Sequence, residues 1–380
     1  VELLPAHGYR CEVHGEVCLG AARITGDLDC GGARLLNPEG RALHCEDLEV
    51  ESVFLSNEGD IRLEVQGRLN FLSATVGGGF FLQQVSMEPG PDYSGLLSRG
   101  GRVAANLRQM RVSNAMMFND ITSPSAGDGP VEGWFLLGGA RMSTLIDHSE
   151  TGWPAAGFLD IDGATYDRIR HVNSGDLVSL RSDWLKRQYH GPVPTAEEFR
   201  PQPYEQLTRA LRNAGLAQEA NAIAVEKIRT RLAARVEPPL QRLFPRLLML
   251  VSHYGYSTSR ALASFAIFVL LGGIMYTVGV RYFGQPFYPY EWDPEPTRYI
   301  LPFGLGTHEV ALGCPGLDTL HFALDFALPV INLGQDNFCR FVPEGSLRWL
   351  WLTLHSLFGL FGAGISAVVV LTLTGVLRRD

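Results

Sequence analysis

The residues whose types and spacing best suit chemistry lie in the stretch GLDTLHFALDFALPV. Asp318, His321 and Asp325 occupy positions i, i+3 and i+7, so a helix places them on one face. Two carboxylates and an imidazole on one face bind a metal ion or relay protons. The interpretation that we favour is an amphipathic helix that lies on a membrane with its polar stripe solvated. We therefore expect no metal and keep these three residues as the weaker alternative.

His355 is the one ionisable side chain in the long uncharged segment formed by residues 349–376. An ionisable group inside a membrane is costly and often functional. A neutral histidine near a helix end is instead satisfied by a neighbouring backbone carbonyl. Both interpretations stay open from the sequence.

The six cysteines fall into two groups. Four lie early in the chain: Cys11, Cys18, Cys30 and Cys45. With His14, the first three resemble a zinc-ligand set, but the spacing matches no closed zinc finger. Cys30 and Cys45 take apolar strand positions, so we interpret them as buried core thiols. Cys314 and Cys339 are the disulfide candidate, because the segment that holds them is expected outside the reducing cytoplasm.

Redox chemistry finds no matching motif in the chain. A nicotinamide or flavin site needs a glycine-rich turn between a strand and a helix. The triplet formed by residues 77–79 is followed by FFLQQV, which is typical of a strand, and no CxxC motif occurs. We therefore predict no catalytic residue and no cofactor.

Two uncharged segments determine where these groups must lie. Residues 261–280 are uncharged and sit between Arg260 and Arg281. A helix of this length spans roughly 30 Å, the thickness of a bilayer's hydrocarbon core. The second segment is longer than one span requires, so we expect it to tilt. The predicted transmembrane helices cover residues 260–281 and 347–377.

Charge around these segments predicts the topology. Residues 281–346 hold three basic and eight acidic side chains, whereas arginines cluster before the first helix and after the second. Basic flanks stay in the cytoplasm. We expect a bacterial inner-membrane protein with both termini cytoplasmic and an exterior loop at residues 282–346.

Small residues line the second predicted span at spacings that suit helix packing: Gly359, Gly362, Ala363 and Ser366. Gly272 and Gly273 in the first span are the expected partner within the chain. Packing against a second copy, and hence a homo-oligomer, is the alternative that the sequence leaves open.

A unit of about eleven residues returns along the first half of the chain, for example GDLDCGGARL from Gly26 and GRLNFLSATV from Gly67. Apolar residues at its third and fifth positions, followed by a small eighth residue, predict a short strand, a turn and a second short strand. No amphipathic helix separates the units. We therefore predict a mainly β fold, a right-handed parallel β-helix, with Leu19, Phe71, Leu82, Leu137 and Ile161 filling one interior column.

The prediction for the whole chain has five parts. Residues 1–180 form a cytoplasmic β-helix domain, and residues 181–259 form a helical linker with an interfacial segment. The first transmembrane helix (260–281), an exterior loop with an amphipathic helix (282–346) and the second transmembrane helix (347–377) follow. We expect recognition at the loops of residues 88–101 and 121–130, or at the seam with the helices after Pro203.

The glycine-led units, the HYGY at residues 253–256 and the LDFALPVINLGQ at residues 324–335 resemble bacterial proteins labelled membrane-associated oxidoreductase. That family resembles pentapeptide-repeat proteins with two C-terminal membrane helices. The resemblance covers most of the chain. It implies the same fold and topology, and it also implies redox chemistry.

The residues themselves predict a membrane-anchored scaffold or binding module without catalytic activity. Its partners are the lipid bilayer and an unidentified protein, and the net charge of -8 gives no support for nucleic-acid binding. The alternatives are an oligomeric pore or channel-like effector, with His355 facing the lumen, and the oxidoreductase that the resemblance implies.

Overall fold

The computed structural model of the chain describes residues 1–5, 9–92, 101–172, 175–235, 238, 243–284, 287–289, 297–300, 307–310, 317–328, 331, 333–334 and 339–376. It divides into two compact units, Val1–Glu237 (unit 1) and Pro238–Asp380 (unit 2). The helices expected in a linker at residues 181–259 therefore belong to both units.

The described strands of unit 1 are β1 Glu12–His14, β2 Val17–Cys18, β3 Leu28–Asp29, β4 Arg34–His44, β5 Glu49–Val50, β6 Val53–Leu55, β7 Leu63–Asn70, β8 Thr75–Val76, β9 Phe80–Glu88, β10 Gly90–Pro91, β11 Arg102–Asn106, β12 Arg111–Thr122, β13 Trp134–Leu136, β14 Arg141–Asp147, β15 Leu159–Asp160 and β16 Thr165–His171. Its helices are α1 Leu177–Lys186, α2 Gln202–Asn213 and α3 Ala217–Ala233, with a 3-10 turn at Pro124–Ala126.

Unit 2 contains α4 Leu243–Ser252, α5 Thr258–Phe283, α6 Thr319–Ala327 and α7 Arg348–Leu373. Its short strands are β17 Phe287–Pro289, β18 Thr297–Ile300, β19 Thr307–Val310, β20 Leu317–Asp318 and β21 Cys339–Phe341.

The predicted fold class, a mainly β chain built on a right-handed parallel β-helix, is wrong. The structure is 35% helical and 30% strand, and the strands of unit 1 join in one large, mostly parallel sheet of sixteen strands. That content is closer to the α/β class. The prediction inferred the fold class from the short strand units alone and treated the helices as linkers, whereas α1 to α3 pack within unit 1. The eleven-residue unit remains a pattern of the sequence.

The strands bury their alternate apolar residues, as a period of two requires. Phe71, Leu137 and Ile161 are buried, and Leu19 is partly buried. Backbone hydrogen bonds join Phe71 N to Asn106 O and Leu137 N to Asp160 O. Leu82 instead pairs in register with Leu55 and Phe118 on other strands. The residues of the expected column are therefore core residues, but Leu82 belongs to a different row of register partners across the sheet.

A buried ion pair fixes α1 to the last long strands of the sheet. Arg181 donates from Nη1 to Asp147 Oδ2 at 2.8 Å and from Nη2 to Oδ1 at 2.7 Å, and Trp153 Nε1 donates to Oδ2 at 2.6 Å. Neither Arg181 nor Asp147 exposes any side-chain surface. The planar guanidinium matches the carboxylate, so the pair fixes both position and angle.

Side-chain amides of α2 cover the outer edge of β16. Gln206 Nε2 donates to Tyr166 O at 2.6 Å, and Gln202 Nε2 donates to Ala164 O at 3.0 Å. Gln202 Oε1 also accepts from Gly163 N at 2.9 Å. Backbone groups that a further strand would use are thereby satisfied by a helix.

Of the helices that the structure describes, two in unit 2 are long and apolar enough to cross a membrane. Thr258–Phe283 and Arg348–Leu373 each have 26 residues and a mean hydropathy of 2.1. Ser257 caps α5 by accepting from Arg260 N, and Gly284 ends it in a left-handed conformation. The bounds agree within a few residues with the apolar segments of the sequence.

Candidate functional site

A histidine–tyrosine pair joins the two long helices of unit 2. His355 Nδ1 lies 2.8 Å from the hydroxyl of Tyr276, which is fully buried. The Phe326 ring stacks on the imidazole with centroids 4.3 Å apart. A buried hydroxyl and a histidine between apolar helices satisfy each other, so the partner of His355 is a side chain and not the carbonyl that one of the two interpretations named.

The small residues of α7 make room for α6. Gly362 faces Ala327, with 2.9 Å between the Ala327 Cα and the point where a Cβ would stand, and Gly359 faces the Phe326 ring. Ser366 Oγ donates to Ala327 O at 2.7 Å, and Ala363 is half-buried.

Two glycines of α5 also make room for α6. Gly272 faces Ala323 and the Phe358 ring, and Gly273 faces Leu320. Thr277 Oγ1 lies 2.7 Å from Thr319 Oγ1. The helix of the predicted exterior loop therefore packs against the middle of both long helices, and these glycines lie at the contacts.

The three residues proposed as weak metal candidates take separate tasks. Asp318 caps α6 by accepting from Leu320 N at 2.9 Å and His321 N at 3.3 Å. His321 is exposed, whereas Asp325 is 3% exposed and accepts from Leu333 N at 2.6 Å. A capping carboxylate and a buried one are already engaged by backbone N–H groups, so the three do not form one shared polar face.

Among the described residues, metal-ligand types converge at Glu16, Cys18 and His44 of unit 1. Cys18 and His44 are register partners on the parallel strands β2 and β4, and Glu16 stands two residues before Cys18 on the same side. His44 Nδ1 lies 2.9 Å from Glu16 Oε1 and 3.6 Å from Cys18 Sγ. The three ligand atoms lie within 4.8 Å of one another.

Sequence reasoning missed this cluster. His44 follows Cys18 by 26 residues, and only the strand register shows that they are neighbours. The signal in the sequence is a pair of i, i+2 motifs, Glu-x-Cys at residues 16–18 and His-x-Glu at residues 44–46.

The other early cysteines behave as core residues. Cys30 and Cys45 are fully buried, which confirms the interpretation from strand alternation. Burial raises the pKa of the Cys30 thiol to about 12 and also raises the pKa of Cys45. Buried thiols of this kind are chemically inert core residues. Among the described residues, His14 joins no group of metal-ligand types with these cysteines, and its Nε2 lies 3.0 Å from Glu12 Oε1.

Cys339 on β21 is disulfide-bonded, and Cys11, Cys18, Cys30 and Cys45 are free. Cys314, its expected partner, lies outside the described residues. The pairing of Cys314 with Cys339 therefore stays a prediction.

An open groove of about 420 Å³ lies where β16 meets α1 and α2. Arg168, Arg170 and His171 supply its polar lining, and apolar residues that include Leu177 and Leu211 supply the rest. The groove lies at the seam with the helices after Pro203, and recognition there stays a prediction.

The two loops expected to carry recognition are tied to each other at Glu88. Its carboxylate accepts from Ser125 N at 2.7 Å, from Ser125 Oγ at 2.8 Å and from Ser123 Oγ at 3.0 Å. The 3-10 turn at Pro124–Ala126 is thereby held in place while its residues stay exposed. Residues 93–100 of the other loop lie outside the described residues.

No protein-family model matches the chain, and neither a curated protein nor a solved structure is significantly similar to it. The resemblance to the oxidoreductase-labelled family therefore stays an expectation from the sequence.

Proposed function

We propose that the chain is a membrane-anchored binding module. The observation that carries the proposal is the surface of α5 and α7. The most apolar windows of these helices are only 28% and 22% buried, whereas a core helix of a soluble protein is mostly buried. Large apolar side chains face outward, among them Leu271 at 60% and Leu360 at 69% exposure. Lipid is the environment that suits such faces.

The arginine distribution supports a bacterial inner membrane with both termini in the cytoplasm. Unit 1 then lies on the cytoplasmic side, where its groove and the 3-10 turn at Pro124–Ala126 are available to partners. This placement follows from charge, because basic flanks resist translocation.

The groove of unit 1 favours an acidic partner segment with apolar side chains. Arg168 and Arg170 are exposed at its lining, next to apolar surface from Leu177, Leu211 and Leu216. Arginine forms charge-assisted hydrogen bonds with carboxylates, and the apolar surface gains from burial.

The geometry gives the pore alternative little support within one chain. His355 is bonded to Tyr276 and stacked on Phe326. Aromatic rings of Tyr276, Phe322 and Phe358 pack together between the helices. Such packing fills the space that a lumen would need.

Membrane extraction tests the anchoring. The full chain, expressed in bacteria, should stay in the membrane pellet after an alkaline carbonate wash and should enter solution only with detergent. Recovery in the carbonate supernatant would contradict an integral anchor.

Peptide binding tests the groove. A fluorescent peptide of alternating Glu and Leu should bind the full chain in detergent micelles, and Arg168→Glu with Arg170→Glu should remove that binding. Arg212→Glu on the exposed side of α2 is the matched charge control and should bind as the parent does. Equal binding by both variants would exclude the groove as the recognition site.

A further inference from the structure

Glu16, Cys18 and His44 present three different ligand types to one point on unit 1: a carboxylate, a thiol and an imidazole. We propose that they bind one zinc-class divalent cation. Strand register positions Cys18 and His44 as neighbours on β2 and β4, and Glu16 lies in the short connection immediately before β2. The proposal goes beyond membrane anchoring and does not depend on it.

The separation between the sulfur and the nitrogen fits a tetrahedral ion. Bond lengths of about 2.3 Å to sulfur and about 2.0–2.1 Å to nitrogen place S and N roughly 3.6 Å apart in a tetrahedral zinc site. The observed separation between Cys18 Sγ and His44 Nδ1 is 3.6 Å. Glu16 Oε1 stands at 2.9 Å from Nδ1, the distance of the N–H···O bond that the metal would replace. The carboxylate has only to move outward by a fraction of an ångström.

The outer contacts of His44 suit a metal at Nδ1. Glu46 Oε2 lies 3.4 Å from Nε2, and Asn70 Nδ2 donates to the same oxygen at 3.4 Å. The imidazole thus has a carboxylate near each nitrogen. A cation can displace the Nδ1 proton while Nε2–H keeps an acceptor, which is the usual support for a metal-bound histidine.

Arg41 opposes the cation. Its Nη2 lies 3.0 Å from Glu16 Oε1, and its Nη1 lies 3.4 Å from His44 Nε2. Binding must therefore draw Glu16 away from a guanidinium, and the positive charge nearby lowers the affinity for a second cation. Removing this arginine should strengthen binding, which is the opposite of what loss of a ligand does.

A mixed set of nitrogen, oxygen and sulfur ligands favours zinc over the hard cations magnesium and calcium. Three protein ligands leave the fourth tetrahedral position open. Cys18 is exposed, so solvent or a small ligand reaches that position.

The test measures metal content and the ligand sphere of the full chain in detergent micelles. After chelation and dialysis, the protein should bind one Zn²⁺ per chain, and Co²⁺ should give a thiolate-to-cobalt charge-transfer band. Cys18→Ser and His44→Gln should each abolish that band and the stoichiometric ion. Cys11→Ser, the matched cysteine control, should keep both.

Two further variants separate a metal site from an ion-pair network. Glu46→Gln should weaken Zn²⁺ binding by about 10–100-fold, as loss of an outer carboxylate does. Arg41→Gln should tighten it. The proposal is overturned if the parent binds no stoichiometric ion, if Cys18→Ser keeps the band, or if Cys11→Ser loses it. Far-UV circular dichroism shows that each variant is folded, and the isosteric Cys18→Ser at an exposed position is the decisive one.

Discussion

Replacing Arg181 with alanine should destabilise unit 1 more than any exposed charge substitution. The change removes both bonds from the guanidinium and leaves the Asp147 carboxylate, which has no exposed surface, with the bond from Trp153. Loss of one partner from a buried ion pair costs about 3–5 kcal/mol, because the remaining charge stays desolvated. For a unit of this size, that free energy lowers Tm by about 6–20 °C.

Tryptophan fluorescence of the full chain in detergent is the assay, since Trp153 and Trp184 are each only 1% exposed next to the pair. Arg23→Ala is the matched control. Its side chain is 81% exposed, and its Nε lies 3.2 Å from Glu49 Oε2. An exposed pair of this kind contributes about 0–1 kcal/mol, so Tm should hardly move.

A double variant refines the prediction. Asp147→Leu with Arg181→Met removes both charges and should recover much of the loss, because no charge stays buried alone. The Trp153 N–H then lacks its acceptor, which costs about 1–3 kcal/mol, so recovery should be incomplete. If Arg181→Ala lowers Tm no more than Arg23→Ala, or if the double variant is less stable than Arg181→Ala, the argument from desolvation fails.

Three other predictions concern acid stability, the core and topology. The hydrogen bond from Arg34 holds the pKa of Glu64 below its usual value, so the stabilisation by the ionised carboxylate is present above about pH 4.5 and is lost as the pH falls through the folded pKa. Chemical denaturation should therefore show Glu64→Gln to be less stable than the parent at pH 7 and equally stable in strong acid. A stability difference that persists at low pH would contradict this prediction. Phe71→Asp should leave no folded unit 1 by circular dichroism, because it places an unpaired charge at a fully buried site, and Ile61→Asp at an exposed site is the control that should fold. Ser346→Cys should react with an impermeant maleimide in intact cells, because the loop that ends at this residue is proposed to lie outside. Labelling only after lysis would show that the topology is the opposite one.

The sequence predicts the local features of unit 1 better than its fold. Alternation identifies strands and buried side chains such as Phe71 and Cys30, because burial on one face follows from a period of two. It does not give the fold class, since the weight of the helices depends on how they pack. The hydrogen bonds from Arg181 to Asp147 join residues that are 34 positions apart, so no local sequence pattern predicts them.

The candidate site depends on register in the same way. Cys18 and His44 become neighbours because β2 and β4 pair in one particular alignment. A shift of one residue in either strand would turn the side chain of that strand to the other face and separate the pair. In unit 2, apolar length identifies α5 and α7, but the position of α6 against Gly273 and Gly362 follows from packing.

The glutamine contacts of α2 also set an order of events during synthesis. Gln206 bonds to Tyr166, 40 residues earlier in the chain, so β16 leaves the ribosome well before the side chain that covers its edge. At about 5–20 residues per second, the delay is roughly 2–8 s. During that interval the newest strand offers unpaired backbone groups to any other nascent chain. The helix that follows the sheet thus acts late, as the element that ends the period in which this unit is open to misassembly.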